Sequence, residues 1–237
     1  MRDQDVPLVF AAQRVELLRS VAEQLKLPLT NIARQAELGM NEERTLRAIQ
    51  VQSDIALKLV DSYLLGLELA GAQAQLALEP VSVAATLTDV AHDLYALAKL
   101  YNVQLDVHVD GRYAPVMAHA FGFRSAMLSL GYELITAQAA LGGKEHLALV
   151  AHRTPHGIVA GLYGTFPSLN TEGWRKSLEL CGRAAQAAPS FVAGSGAGLF
   201  VAETLLSAME SRMRVGRFRR HIGLAATLQA SRQLQLI

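Results

Sequence analysis

Apolar side chains recur at helical spacing through the first third of the chain. Leu18, Val21, Leu25 and Ile32 step by three, four and seven, which predicts a long helix from Pro7 to about Leu38. Pro28 interrupts the pattern, removing an amide donor and crowding the preceding turn, so a kink is expected there. Gly39 supplies a stop, and Asn41-Glu42-Glu43 supplies a cap and first-turn acids for the next helix. That helix is expected from Asn41 to about Leu69, with Leu46, Ile49, Ser53, Ala56, Val60, Tyr63 and Leu67 along one seam. Two antiparallel helices with one seam each cannot bury both seams alone. Pairing two copies into a four-helix bundle covers them, so a homodimer is expected. The alternative is that both helices fold back on the C-terminal half.

Gly71 to Pro80 reads as a connector, dividing the chain into a helical hairpin over 1–72 and a second unit over 80–237. It also offers a hinge about which the two units rock. Beyond it the periodicity is mixed. A helix is predicted from Ser82 to Tyr101, with Leu87, Val90, Leu94, Leu97 and Ala98 on one face. The alternating run Val103 to Val109 predicts a strand that ends at Asp110-Gly111. A helix over Ala120 to Leu141 stops at Gly142-Gly143. Strands follow over His146 to His152 and Ile158 to Tyr163, joined by Thr154-Pro155-His156-Gly157. A helix over Thr171 to Ala187, a glycine loop, a helix over Leu199 to Met209 and two final strands complete the unit. The fold class is α+β, a helical hairpin followed by a two-layer α/β sandwich.

Composition narrows the function classes. The chain has 237 residues, 51% hydrophobic and 18% charged, enough to build a core and too apolar for general disorder. A net charge of +1 argues against a general polyanion binder. Cys181 is the sole cysteine, which excludes an internal disulfide and any multi-cysteine metal site. No apolar run approaches the roughly 18 residues that span a bilayer. The opening Met1-Arg2-Asp3-Gln4-Asp5 lacks the apolar core of a secretory signal, so a cytoplasmic protein is expected.

The chemistry concentrates in a few motifs. In Gly194-Ser195-Gly196-Ala197-Gly198-Leu199, glycines admit positive φ and let backbone amides approach an anion. The helix beginning near Leu199 would aim its positive end at that anion. A tight turn built from small residues is the plainer reading of the same motif. Ser20-Val21-Ala22-Glu23-Gln24-Leu25-Lys26-Leu27-Pro28-Leu29-Thr30 resembles the phosphoacceptor helix of bacterial sensor histidine kinases. Lys58-Leu59-Val60-Asp61-Ser62-Tyr63-Leu64-Leu65 is similar to the segment closing that family's second helix. Phe123 to Thr136 resembles its N box, and Gly194 to Leu199 the glycine box that covers nucleotide phosphates. The order and spacing of these segments match across nearly the full chain. The resemblance implies a dimerising hairpin, a Bergerat-type ATPase sandwich, ATP and Mg²⁺ as ligands, and response regulators or a true histidine kinase as partners.

The departures from that pattern carry as much information. The phosphoacceptor falls on Glu23, whose carboxylate cannot form a phosphoramidate. The seven histidines begin at His92, so neither hairpin helix carries one. The metal-binding asparagine of the N box falls on Glu133, a competent hard-oxygen ligand for Mg²⁺, or else a solvated or capping carboxylate. The adenine-binding aspartate falls on Leu162 and a neighbouring glycine on Phe166. Leucine accepts no N–H, which costs adenine recognition roughly 1–3 kcal/mol. The reading is a degenerate kinase-like protein, with no catalytic residue and no cofactor, acting as a dimeric adaptor or regulator. The alternative is an ATP–Mg²⁺-binding enzyme or nucleotide sensor that uses Gly194, Gly196, Gly198 and Glu133.

Arg212, Arg214, Arg217, Arg219 and Arg220 crowd the final hairpin beside His221. Alternate strand positions share a face, so they form a basic stripe suited to nucleic acid or an acidic partner. With Phe218 the only aromatic among them, a charged edge that discourages sheet-to-sheet pairing is the favoured reading, and nucleic acid is not expected.

Overall fold

The computed structural model describes residues 25–37, 43–71, 77–142, 145–180 and 196–231. Helix α1 covers 25–37 and continues through Pro28. Helix α2 (Glu43–Gly71) follows. The sandwich then runs β1 (Glu79–Val81), α3 (Val83–Leu100), β2 (Val103–Val109), β3 (Val116–Ala118), α4 (Ala120–Leu141), β4 (Glu145–Thr154), β5 (Gly157–Gly164), α5 (Thr171–Leu180), α6 (Ala197–Ser207), β6 (Met213–Phe218) and β7 (His221–Leu228). The elements follow the order that the hydrophobic pattern predicts. Two short strands, β1 and β3, were not anticipated and pair antiparallel as a separate small sheet. The part of the predicted fifth helix beyond Leu180 lies outside the described residues.

The main sheet has the order β2-β4-β5-β7-β6. Its β2–β4 pair is parallel, joined by a crossover that contains α4, and the remaining pairs are antiparallel. One face carries Leu147, Leu149, Ala160, Leu162, Leu224 and Ala226, all buried in the main core with α3, α4 and α6. Along α4 burial is nearly continuous from Gly122 to Gln138, because that helix is covered on several sides. Gly131 sits where α3 crosses α4, and a Cβ there would collide with the Leu94 side chain. The opposite sheet face holds a second, smaller cluster of Ala148, Val150, Tyr163 and Ala225, with Phe218 packed on it.

The hairpin is not independent of the sandwich. Ile55, Leu59 and Tyr63 of α2 belong to the main core. The carboxylate of Asp93 on α3 accepts from Lys58 Nζ on α2 and from a guanidinium nitrogen of Arg124 on α4, each at 2.6 Å. Tyr101 Oη accepts from Asn31 Nδ2 at 3.0 Å and from Gln52 Nε2 at 3.3 Å, tying both hairpin helices to the end of α3. Of the seam expected on α2, Ala56 and Tyr63 are buried, Ile49, Ser53 and Val60 are half-buried and Leu46 is 50% exposed. Leu57 and Leu64, which lie off that seam, are 65% and 54% exposed.

Candidate functional site

The N-box helix and the glycine box meet at one hydrogen bond. Gly196 caps α6 in the left-handed region (φ 68°), where a side chain would be strained and glycine is not. This turn frees the first amides of α6, and the N–H of Gly198 donates to Glu133 Oε1 at 3.0 Å. Glu133 is only 4% exposed. Burial raises its pKa to about 7, and the bond from Gly198 opposes part of that rise. The carboxyl thus occupies the positive end of α6. No group of three His, Cys, Asp or Glu that could hold a metal occurs among the described residues. Glu133 sits apart from solvent, not on an exposed helix face.

Two tyrosines lie within electrostatic reach of this carboxyl. The hydroxyls of Tyr63 on α2 and Tyr132 on α4 are buried and find no hydrogen-bond partner among the described residues. Burial, followed by the nearby Glu133 charge, pushes the Tyr63 pKa well above its ordinary value. For Tyr132, burial raises it first and the charges of Tyr101 and Glu133 add to the effect. The helical hairpin therefore delivers a side chain to the neighbourhood of the N box. The seam spacing placed Tyr63 on a buried face, but nothing in the sequence pairs it with a residue 70 positions away.

The positions expected to read adenine are apolar and buried. Leu162 is fully buried in β5, in register with Leu149 of β4 and Leu224 of β7. Phe166 is 2% exposed. Beside it, Gln138 Nε2 donates to the Thr165 carbonyl at 2.7 Å and fixes the exit from β5 to α4. Trp174 of α5 stacks on Phe200 of α6, with centroids 6.5 Å apart, and its indole N–H donates to the Met213 carbonyl. Glu203 of α6 accepts the Met213 N–H at 2.7 Å. Burial raises the Glu203 pKa against the opposing effect of that bond. Trp174, Phe200 and Glu203 were not singled out from the sequence. A lone acid among the apolar positions of α6 was the available signal.

The structure thus brings Gly196, Gly198 and Glu133 together and sets Leu162 and Phe166 in the core. Glu23 and Gly194 lie outside the described residues. No described helix is long and apolar enough to cross a membrane.

No protein-family model and no curated protein matches the chain. Solved structures do. Full-length ShkA in complex with AMPPNP superposes with a TM-score of 0.57 at 17% identity, over 98% of this chain and 47% of that one. The Acinetobacter baumannii histidine kinase AdeS gives 0.55 at 12% identity, over 88% of this chain and 98% of that one. Histidine kinase ThkA, in complex with the response regulator TrrA, gives 0.53 at 13% identity, over 91% of this chain and 61% of that one. The chain thus spans about half the length of ShkA. Taken with the element order and the mixed five-stranded sheet, these likenesses show that the chain is built on the fold of a histidine-kinase core.

Proposed function

We propose that the protein is a kinase-like signalling protein that does not process nucleotide and works as a dimeric adaptor or regulator. One observation carries this reading: the amide of Gly198 is already satisfied by an internal carboxylate, Glu133 Oε1, 3.0 Å away. An incoming phosphate would meet that carboxylate, and two anions at one helix terminus repel. Phe166 and Leu162 add to the case, because a buried phenyl ring and a core leucine offer no acceptor to an adenine amino group. Mg²⁺ fits no better, since Glu133 is buried and belongs to no group of three His, Cys, Asp or Glu among the described residues.

The exposed leucines of α2 support the dimer. Leu57 and Leu64 are seven residues apart and Leu46 is eleven before Leu57, spacings that hold all three to one side of the helix. Two such helices and their hairpin partners make a four-helix bundle. ThkA is seen with the response regulator TrrA, so a response regulator or a second histidine kinase is the partner class proposed here.

Titration with a fluorescent ATP analogue and Mg²⁺ tests the reading. No saturable signal is expected up to about millimolar analogue, the affinity that corresponds to roughly 4 kcal/mol. Saturable, Mg²⁺-dependent binding in the micromolar range would overturn it in favour of an ATP-binding enzyme or nucleotide sensor.

A further inference from the structure

We propose that the outer edge of β6 is a docking strand for an acidic, extended segment of a partner protein. Five arginines, Arg212, Arg214, Arg217, Arg219 and Arg220, fall within nine residues that contain no acid. The whole chain carries +1, so everything outside this hairpin sums to −4. All five side chains are exposed, and none makes a salt bridge among the described residues. Arg212 alone has a nearby acid, the half-buried Glu203.

The backbone of the same strand is half used. β6 ends the sheet, with β7 on one side and no described strand on the other. Met213 turns its N–H and carbonyl outward, where Glu203 and Trp174 take them. Antiparallel alternation makes Val215 and Arg217 the next outward-facing residues, and no described group bonds to their amides or carbonyls. An added strand would find two free rungs there, flanked by guanidinium groups.

The turn adds an independent sign. Arg219 adopts φ 54°, a left-handed conformation that glycine or asparagine takes at lower cost. An arginine held there points to a use for its charge. Nucleic acid fits the patch less well. The Phe218 ring is turned onto the sheet, its centroid 5.9 Å from both Tyr163 and His108, and Arg219 lies over it at 5.1 Å. It is not offered for base stacking.

The test uses the intact chain and a fluorescein-labelled peptide, Glu-Val-Glu-Val-Glu-Val-Glu, followed by anisotropy. The peptide is expected to bind, and Arg214→Glu with Arg217→Glu is expected to weaken it at least about tenfold. The same peptide N-methylated at alternate amides cannot complete the rungs and is expected to lose about tenfold on the unaltered protein. A short DNA duplex is expected not to displace it. The proposal is overturned by absence of binding, by equal binding of the charge-reversed protein or the N-methylated peptide, or by displacement by DNA. Should the double variant misfold by circular dichroism, the N-methylated arm on the unaltered chain decides.

Discussion

Glu133 on α4 and Gly198 at the start of α6 share a 3.0 Å hydrogen bond across 65 residues of sequence, and the amide is the donor. The bond replaces water at a helix terminus with an internal charge that the fold must keep dry. Keeping it dry is costly, because burial disfavours the ionised form.

The first prediction follows from that cost. An ordinary glutamate titrates at 4.5 and this one at about 7, so the folded chain holds a proton that the unfolded chain releases between those values. Stability therefore falls as pH rises through that window, by about 3 kcal/mol from this group. Glu133→Gln keeps an acceptor for Gly198 and removes the titration. Its stability relative to wild type, from urea midpoints at several pH values, should rise by about that amount from pH 4.5 to pH 7 and stay level above. A flat difference across the window would contradict the burial of a titrating carboxyl.

Asp93 is the second target. It joins α2, α3 and α4 through Lys58 and Arg124 at 2.6 Å, with those two side chains 40% and 45% exposed. Solvent screens such pairs, so Asp93→Asn should cost only about 1–2 kcal/mol. The loss should shrink in about 1 M salt, where the Debye length is ~3 Å. An equal loss at low and high salt would mean that packing, not charge, holds the junction.

Neighbouring leucines on α2 should behave oppositely. Leu59 is fully buried, so Leu59→Ala should cost about 2–5 kcal/mol. Leu57→Glu combined with Leu64→Glu changes only exposed positions and should leave the melting temperature of the isolated chain nearly unchanged. On the dimer reading, light scattering should show that double variant as a monomer beside a dimeric wild type. A wild type that is monomeric at tens of micromolar would end the dimer proposal.

The turn residues offer a contrast in sign. Arg219 has a positive φ and its neighbour Arg220 does not. Arg219→Gly should relieve about 1 kcal/mol of strain, offset in part by the lost contact with Phe218. Arg220→Gly should destabilise by about 0.5–1 kcal/mol, because it only loosens the unfolded chain. Thermal melts in which the first variant unfolds below the second would refute the strained-turn assignment.

Much of the fold was legible because the strong signals are local. The helix expected over Ala120 to Leu141 and the strand over Val103 to Val109 appear with those bounds, set by Gly142 and by Asp110-Gly111. β1 and β3 were missed because three residues show no period, and Glu79-Pro80 read as the end of the connector. On α2 periodicity placed Leu46 and Tyr63 on one seam but could not sort Tyr63, turned to the core, from Leu46, left half exposed. For the site, aligned motifs led to Glu133 and the glycines. That Glu133 is buried, and bonded to Gly198, depends on tertiary contact that no local pattern encodes. The same holds for Trp174 against Phe200.

The way α2 gives Ile55, Leu59 and Tyr63 to the sandwich limits how such a molecule can carry a message. Free swinging about Gly71 would strip these side chains bare and open a wet gap beside the Glu133 carboxyl. Small sliding steps of one helix along another cost far less. A stimulus reaching the rods would then arrive at the N-box helix as a shear of ångströms, and calorimetry should find rods and sandwich melting in a single endotherm.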